Sequence, residues 1–176
     1  FILCIAFLTA IACKEEPKDY VTLSGKITDK NSDSLVVRTR GYSKLIKVNE
    51  DGAFNDTLKV ETGTYNIFDG TESTSIYLKN GYDLNITLNT KEFDESIAYS
   101  GTGSESSNYL AKQALLRQTA FPPDLFDSDE ETFKTKVDEI NKSFSELLGS
   151  FNNLDSTLLA KETNQINKMP EEILNY

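Results

Sequence analysis

From residue 20 the chain alternates. Val21, Leu23, Gly25 and Ile27 are apolar or small, and Thr22, Ser24, Lys26 and Thr28 between them are polar. That period of two predicts a half-buried strand, because successive side chains of a strand point to opposite faces. The polar cluster Asp29 to Ser34 ends it. Further strands follow over Leu35–Arg40, Lys44–Asn49, Phe54–Val60, Thr64–Asp69 and Ser75–Lys79, then a seventh around Leu84, Ile86 and Leu88 and an eighth around Ile97 and Tyr99. Turn chemistry separates them: Gly41, Asp51-Gly52, Thr62-Gly63 and Asn80-Gly81. Asn80-Gly81 reads as the tight turn of a hairpin. Short strands with frequent turns and no helix between them predict an antiparallel β-sandwich or open barrel over residues 20–102.

After Gly103 the period lengthens. Ser104 to Gln118 reads as a helix, closed by Phe121-Pro122-Pro123-Asp124, since proline cannot continue one. Ser128-x-x-Glu131 has the form of a capping box opening the next helix. Phe133, Val137, Ile140, Phe144, Leu147 and Phe151 then recur at spacings of four and three, one apolar stripe along a helix. Asp155 is placed to cap a further helix with Leu158, Leu159 and Ile166 inward, and Pro170 to occupy the first position of a last one. The fold class expected is therefore β+α, an antiparallel β-sandwich over 20–102 followed by a helical hairpin or bundle over 103–176. Val21, Leu23, Ile27, Leu84, Ile86 and Leu88 are the expected sheet core.

Residues 1–12 (FILCIAFLTAIA) carry no charge. They are too few to cross a bilayer, which takes roughly 20 apolar residues, and match the apolar core of a secretory signal whose basic start is clipped. Ala10-Ile11-Ala12-Cys13 resembles the lipobox of bacterial lipoproteins. That resemblance implies cleavage before Cys13, a lipid on its thiol, and a short tether over 13–19. An ordinary signal peptide with a chance cysteine, or the start of a membrane helix, is the alternative. Cys13-Lys14-Glu15-Glu16 is also similar to the surface-export signal of Bacteroidetes lipoproteins, which leaves periplasmic and outer-surface display both open.

Composition narrows the function classes. The only cysteines are Cys4 and Cys13, and histidine is absent. The commonest neutral-pH general base and metal ligand is missing, and with it the Ser-His-Asp and Cys-His arrangements. The formal charge of −10 opposes nucleic-acid binding. No cofactor motif is complete. Asp29-Lys30-Asn31-Ser32-Asp33 has the opening spacing of a calcium loop, yet Ser34 and Arg40 stand where that loop needs Gly and Glu, so a plain turn is the competing reading. Gly101-x-Gly103 lacks the rest of a phosphate-binding loop and more simply lets the chain turn from sheet to helix. The acid pairs Glu15-Glu16, Glu130-Glu131 and Glu171-Glu172 are sequence neighbours, which do not face one cleft on a helix. Tyr20, Tyr42, Tyr65, Tyr77, Tyr82 and Tyr99 punctuate the strands, either as a sugar- or peptide-binding face or as sheet-edge residues with hydroxyls in water.

Four segments carry a wider resemblance: Tyr20 to Thr28 after the lipobox, Val48 to Leu58, Tyr82 to Leu88, and Ser100 to Leu110. Together they resemble the N-terminal region of TlpA-like thiol-disulfide oxidoreductase lipoproteins of the Bacteroidetes, over Cys13 to about Asn167. The resemblance implies a sandwich and helical segment preceding a thioredoxin-like domain. The C-x-x-C of that domain is absent here, so no catalytic residue carries over and the sole site residue expected is the lipidated Cys13. The expectation is an accessory module of a membrane-anchored envelope oxidoreductase, its partners the membrane through the lipid and envelope protein thiols through a domain beyond residue 176. A surface lipoprotein that binds a glycan or peptide, or a structural spacer, are the alternatives.

Overall fold

The computed structural model describes residues 18–175. Eight strands form two four-stranded sheets. The first sheet runs in the order β4 (Ala53–Leu58), β1 (Val21–Thr28), β7 (Asp83–Asn89), β8 (Ala98–Thr102). The second runs β3 (Tyr42–Lys47), β2 (Ser34–Thr39), β5 (Gly63–Phe68), β6 (Ser73–Leu78). Four helices accompany them: α1 (Phe93–Ser96), α2 (Ser104–Ala120), α3 (Glu130–Gly149) and α4 (Ser156–Leu174). The architecture is the expected β+α sandwich with a helical segment, and strand limits fall within two residues of the sequence reading.

Alternation explains the packing. Val21, Leu23 and Ile27 of β1 and Leu84, Ile86 and Leu88 of β7 are all buried, facing Leu35, Val37, Ile46 and Ile67 of the other sheet in one apolar cluster. The outward residues of the first sheet are polar, with Asn85 donating to the Ser24 hydroxyl at 3.1 Å. Gly25 is small of necessity, since a Cβ there would lie 2.2 Å from the Ile86 carbonyl oxygen and against the Phe54 ring.

Two connections differ from the sequence reading. All strand pairs are antiparallel except β1 with β7, which run parallel. Asn80-Gly81 therefore does not join a hairpin. It carries the chain from β6 in one sheet to β7 in the other, with Gly81 at φ +94° and its N–H donating to the Tyr20 carbonyl at 2.9 Å. The turn residues were legible, but a tight turn also serves a crossover between packed sheets. In addition, Thr90–Ser96 folds into a helical turn and α1, placing Phe93 in the sandwich core.

The helices show three further corrections. The cap of α3 is Asp129, whose carboxylate accepts from the Thr132 N–H at 3.0 Å and its hydroxyl at 2.7 Å. Ser128 instead donates to the Asp124 carbonyl and accepts from Lys136, so Ser128 and Glu131 form no capping box. Pro170 does not start a helix. It lies inside α4, because Leu158, Glu162, Ile166, Met169 and Ile173 keep one face in register through it. One lost backbone hydrogen bond costs less than unpacking that face. Leu159, expected inward, is 42% exposed.

Candidate functional site

The strand β6 has Ile76, Tyr77 and Leu78 buried in succession. A strand covered on one face alternates, whereas one covered on both faces does not. Helix α2 supplies the second cover, and α4 packs beyond it around Tyr77, Tyr109, Leu110 and Leu158. The joint among β6, α2 and α4 holds the densest polar network in the described residues.

Asp155 is its centre. The residue caps α4, with Oδ1 accepting from the Thr157 N–H at 2.9 Å. The same Oδ1 accepts from the Tyr77 hydroxyl at 2.7 Å, and Oδ2 accepts from Lys79 Nζ at 2.8 Å. The Asp155 N–H donates to Ser106 Oγ of α2 at 3.0 Å. Burial pushes the carboxyl up, but the bonds from Lys79, Tyr77 and the Thr157 N–H outweigh it and hold the carboxyl at about 2. Burial, then the neighbouring carboxylate, pushes the Tyr77 phenol well above its ordinary range. A second group lies along the same seam. Glu162 of α4, 2% exposed, accepts from the Tyr109 hydroxyl at 3.1 Å and from Gln113 Nε2 at 2.5 Å. Ser107 completes the seam, donating to the Tyr77 carbonyl and accepting from its N–H.

Chemically this is a clamp. Both Asp155 oxygens are engaged and the lysine and tyrosine are its donors, so the arrangement fixes three elements and offers no free base. Buried charge of this kind is tolerated only when paired and hydrogen-bonded. The sequence marks Asp155 as a cap and Tyr77 only as one of the strand tyrosines, and gives no sign of Lys79 and Glu162. The uninterrupted Ile76-Tyr77-Leu78 was the available signal for a doubly covered strand.

The other sequence candidates fall elsewhere. Cys13 lies outside the described residues. In the calcium-like loop, Lys30 pairs with Asp33, Lys91 with Asp29, and Asn31 donates to Asp69 at 2.8 Å. Among the described residues, no three His, Cys, Asp or Glu gather as a metal-holding group. Gly101 and Gly103 have φ of +94° and +88°, with Gly103 opening α2, so they turn the chain as the simpler reading had it. Glu130 pairs with Lys134 at 2.6 Å, and Glu171 and Glu172 are exposed near the end of α4. The tyrosines form no common face. Tyr65, Tyr77 and Tyr99 are buried, and Tyr42 packs edge-on against Tyr65 with centroids 5.5 Å apart.

Two spaces remain. A void of about 10 Å³ inside the sandwich is lined by Ile27, Leu35, Phe54 and Leu88 among others, at the lower limit for one water and too small for a ligand. An open groove of about 540 Å³ lies at the end where the chain enters β1, lined by Asp19, Arg40, Tyr42, Lys59, Glu61 and Asn80. Asp19 and Lys59 pair across it at 2.6 Å.

Fold and joint together define a β-sandwich with a clamped helical layer. No protein-family model matches the chain, and no curated protein matches it. Among solved structures it is similar to a DUF3823 family protein from Bacteroides ovatus, at 17% identity and TM-score 0.29, over 38% of this chain and 42% of that one. It is similar also to a DUF3823 family protein from Parabacteroides merdae, at 17% identity and TM-score 0.29, over 48% and 47%. The chain thus spans less than half the length of either, and matches of this score assign neither family nor activity.

Proposed function

We propose that this chain is a non-catalytic accessory module of a lipid-anchored envelope protein, fixed to the membrane through Cys13. The observation that carries the reading is the Asp155 clamp. One carboxylate, saturated by Tyr77, Lys79 and Thr157, ties the first turn of α4 to the sandwich. A group used this way sets the direction in which α4 leaves the sandwich and takes no part in proton transfer. The finer reading is that the module positions a thioredoxin-like domain placed after residue 176, where thiol-disulfide exchange would occur; the TlpA-like segments Tyr20–Thr28 and Ser100–Leu110 support it.

Disulfide exchange needs a thiolate and a second thiol to resolve the mixed disulfide. With Cys13 lipidated, residues 14–176 contain neither. Purified residues 14–176 are expected to leave dithiothreitol-driven insulin precipitation at the buffer rate, and acceleration would reveal a site of their own. Sequencing the gene past residue 176 tests the finer reading. A C-x-x-C after a strand within ~150 residues, one domain's length, supports it. A stop codon or a further binding module instead favours the spacer or the binding alternative. For the binding alternative the second sheet offers one feature: Leu45, 63% exposed, stands beside Val36 and then Phe68 in one outward row.

A further inference from the structure

The outer backbone groups of an edge strand are a template for further pairing unless something blocks them. The two sheets have four such edges, and three are guarded. Helix α2 lies along β6 and β8. Its Ser107 hydroxyl meets the N–H and the carbonyl of Tyr77 at 3.1 and 3.3 Å, and its Asn108 side chain meets those of Tyr99 at 2.9 and 2.8 Å. On β4 the Ala53 and Thr57 N–H groups donate to Asp51 and Asp56 carboxylates at 3.1 and 2.7 Å, and the Ala53 carbonyl accepts from the Asn49 N–H. The fourth edge, β3, is different. The Val48 N–H donates to the Asp33 carbonyl at 2.9 Å, so by alternation Ile46, Lys44 and Tyr42 also turn their backbone groups towards β2. Ser43, Leu45 and Lys47 turn theirs to the free edge, where they meet no partner among the described residues. Lys44 is drawn across to Asp56 of β4 at 3.2 Å, which holds it off that edge.

We propose that β3 pairs with β3 of a second copy of this chain, antiparallel about a two-fold axis at Leu45, so that the two outer sheets become one. A two-fold interface must be complementary to itself, and β3 is so in this register. Leu45 falls opposite Leu45 of the second copy, Ser43 opposite its Lys47, and Lys44 opposite its Ile46, with no like charges face to face. Centring the pair on Lys44 or Lys47 would set lysine against lysine. Ser43, Leu45 and Lys47 then exchange backbone hydrogen bonds with the copy. The apolar row Phe68, Val36, Leu45 ends at the edge of one chain and continues into the same row of the other. Past the strand ends, the register brings Glu50 towards Arg40 of the second copy, once at each end of the seam. Neither residue makes an ion pair among the described residues. A seam between strands of six residues falls short of the roughly 1,200 Å² that a stable interface buries, so the dimer is weak and depends on concentration.

The test is sedimentation equilibrium of purified residues 14–176, which keep every described residue, from micromolar to millimolar concentration. The mean mass should climb from one chain towards two. Amide exchange at Ser43, Leu45 and Lys47 should slow as the dimer fills, while Asn55 on the guarded edge of β4 stays constant. Ser43→Pro removes a donor that faces away from β2, a place where an edge strand tolerates proline. It should raise the dissociation constant about thirtyfold, the net worth of two hydrogen bonds lost across the axis. Leu45→Lys sets like charges together at the centre of the seam and should leave only monomer. Both variants should keep the circular dichroism spectrum of the natural chain, and if the proline variant does not, Leu45→Lys decides. Arg40→Glu and Glu50→Arg should each weaken the dimer a few-fold, and the two combined should restore it. A mass of one chain throughout, a dimer unmoved by Leu45→Lys, or a charge swap no tighter than the single reversals would overturn the proposal.

Discussion

Asp155 carries two jobs in one side chain, and its substitutions separate them. Asparagine can still cap α4 and accept from Tyr77, but it loses the charge that Lys79 meets; Asp155→Asn should cost about 1–2 kcal/mol in urea unfolding. Asp155→Ala also removes the cap and leaves the Tyr77 hydroxyl buried without an acceptor, so roughly 3–5 kcal/mol is expected. The pH dependence has a definite sign. The folded carboxyl sits at about 2, below the ordinary 3.8. Its contribution is therefore present above pH ~4 and fades as pH falls towards 2, by about 1–2 kcal/mol once screening at the half-exposed Lys79 is allowed for. Urea midpoints measured between pH 6 and pH 2 should fall less in Asp155→Asn than in the natural chain; parallel curves would remove Asp155 from the account. At Gly101 the constraint is steric. A Cβ would lie 2.1 Å from the Asp83 carbonyl oxygen at φ +94°, so Gly101→Ala should lower stability by roughly 2 kcal/mol or more, seen as a thermal midpoint several degrees lower. Asp155 was legible as a cap because capping is local. Tyr77 lies 78 residues away, and no spacing in the chain announces that meeting.

At the scale of elements, the strands were the legible part. Their alternation states which face is buried, and Val21 through Leu88 fell inward as read. What alternation does not state is which sheet a strand joins. Asn80-Gly81 permits a hairpin and a crossover equally, and the parallel seat of β7 beside β1 decided the matter. Helix α3 offers a direct test of a local correction. Asp129→Ala should cost about 1 kcal/mol, the usual worth of a cap, and Ser128→Ala less than about 0.5 kcal/mol, as for surface substitutions outside special features. Chemical denaturation of both variants decides it; the reverse order would restore the Ser128 capping box. Pro170 shows the converse limit. Its missing N–H marks a helix start by local rule, but the apolar face from Leu158 to Ile173 extends across it. Packing along a whole face outweighed one residue's preference.

In the molecule as a whole, the sandwich and the helical layer are joined as one mechanical body by the Asp155, Ser107 and Glu162 bonds. Apolar contact alone would allow α2 and α4 to slide; the bonds of Asp155, Ser107 and Glu162 to β6 and α2 fix one arrangement. Helix α4 then leaves the sandwich in a set direction, which is what a module that positions a neighbour requires. Native-state hydrogen exchange in increasing urea tests the central claim most directly. Amides of α4 between Leu158 and Ile166 and amides of β1 and β7 around Leu23 and Ile86 should converge on one opening free energy and one urea dependence. If the α4 amides open at lower free energy while the strands stay protected, the helical layer is a separate unit and the clamp does not join them.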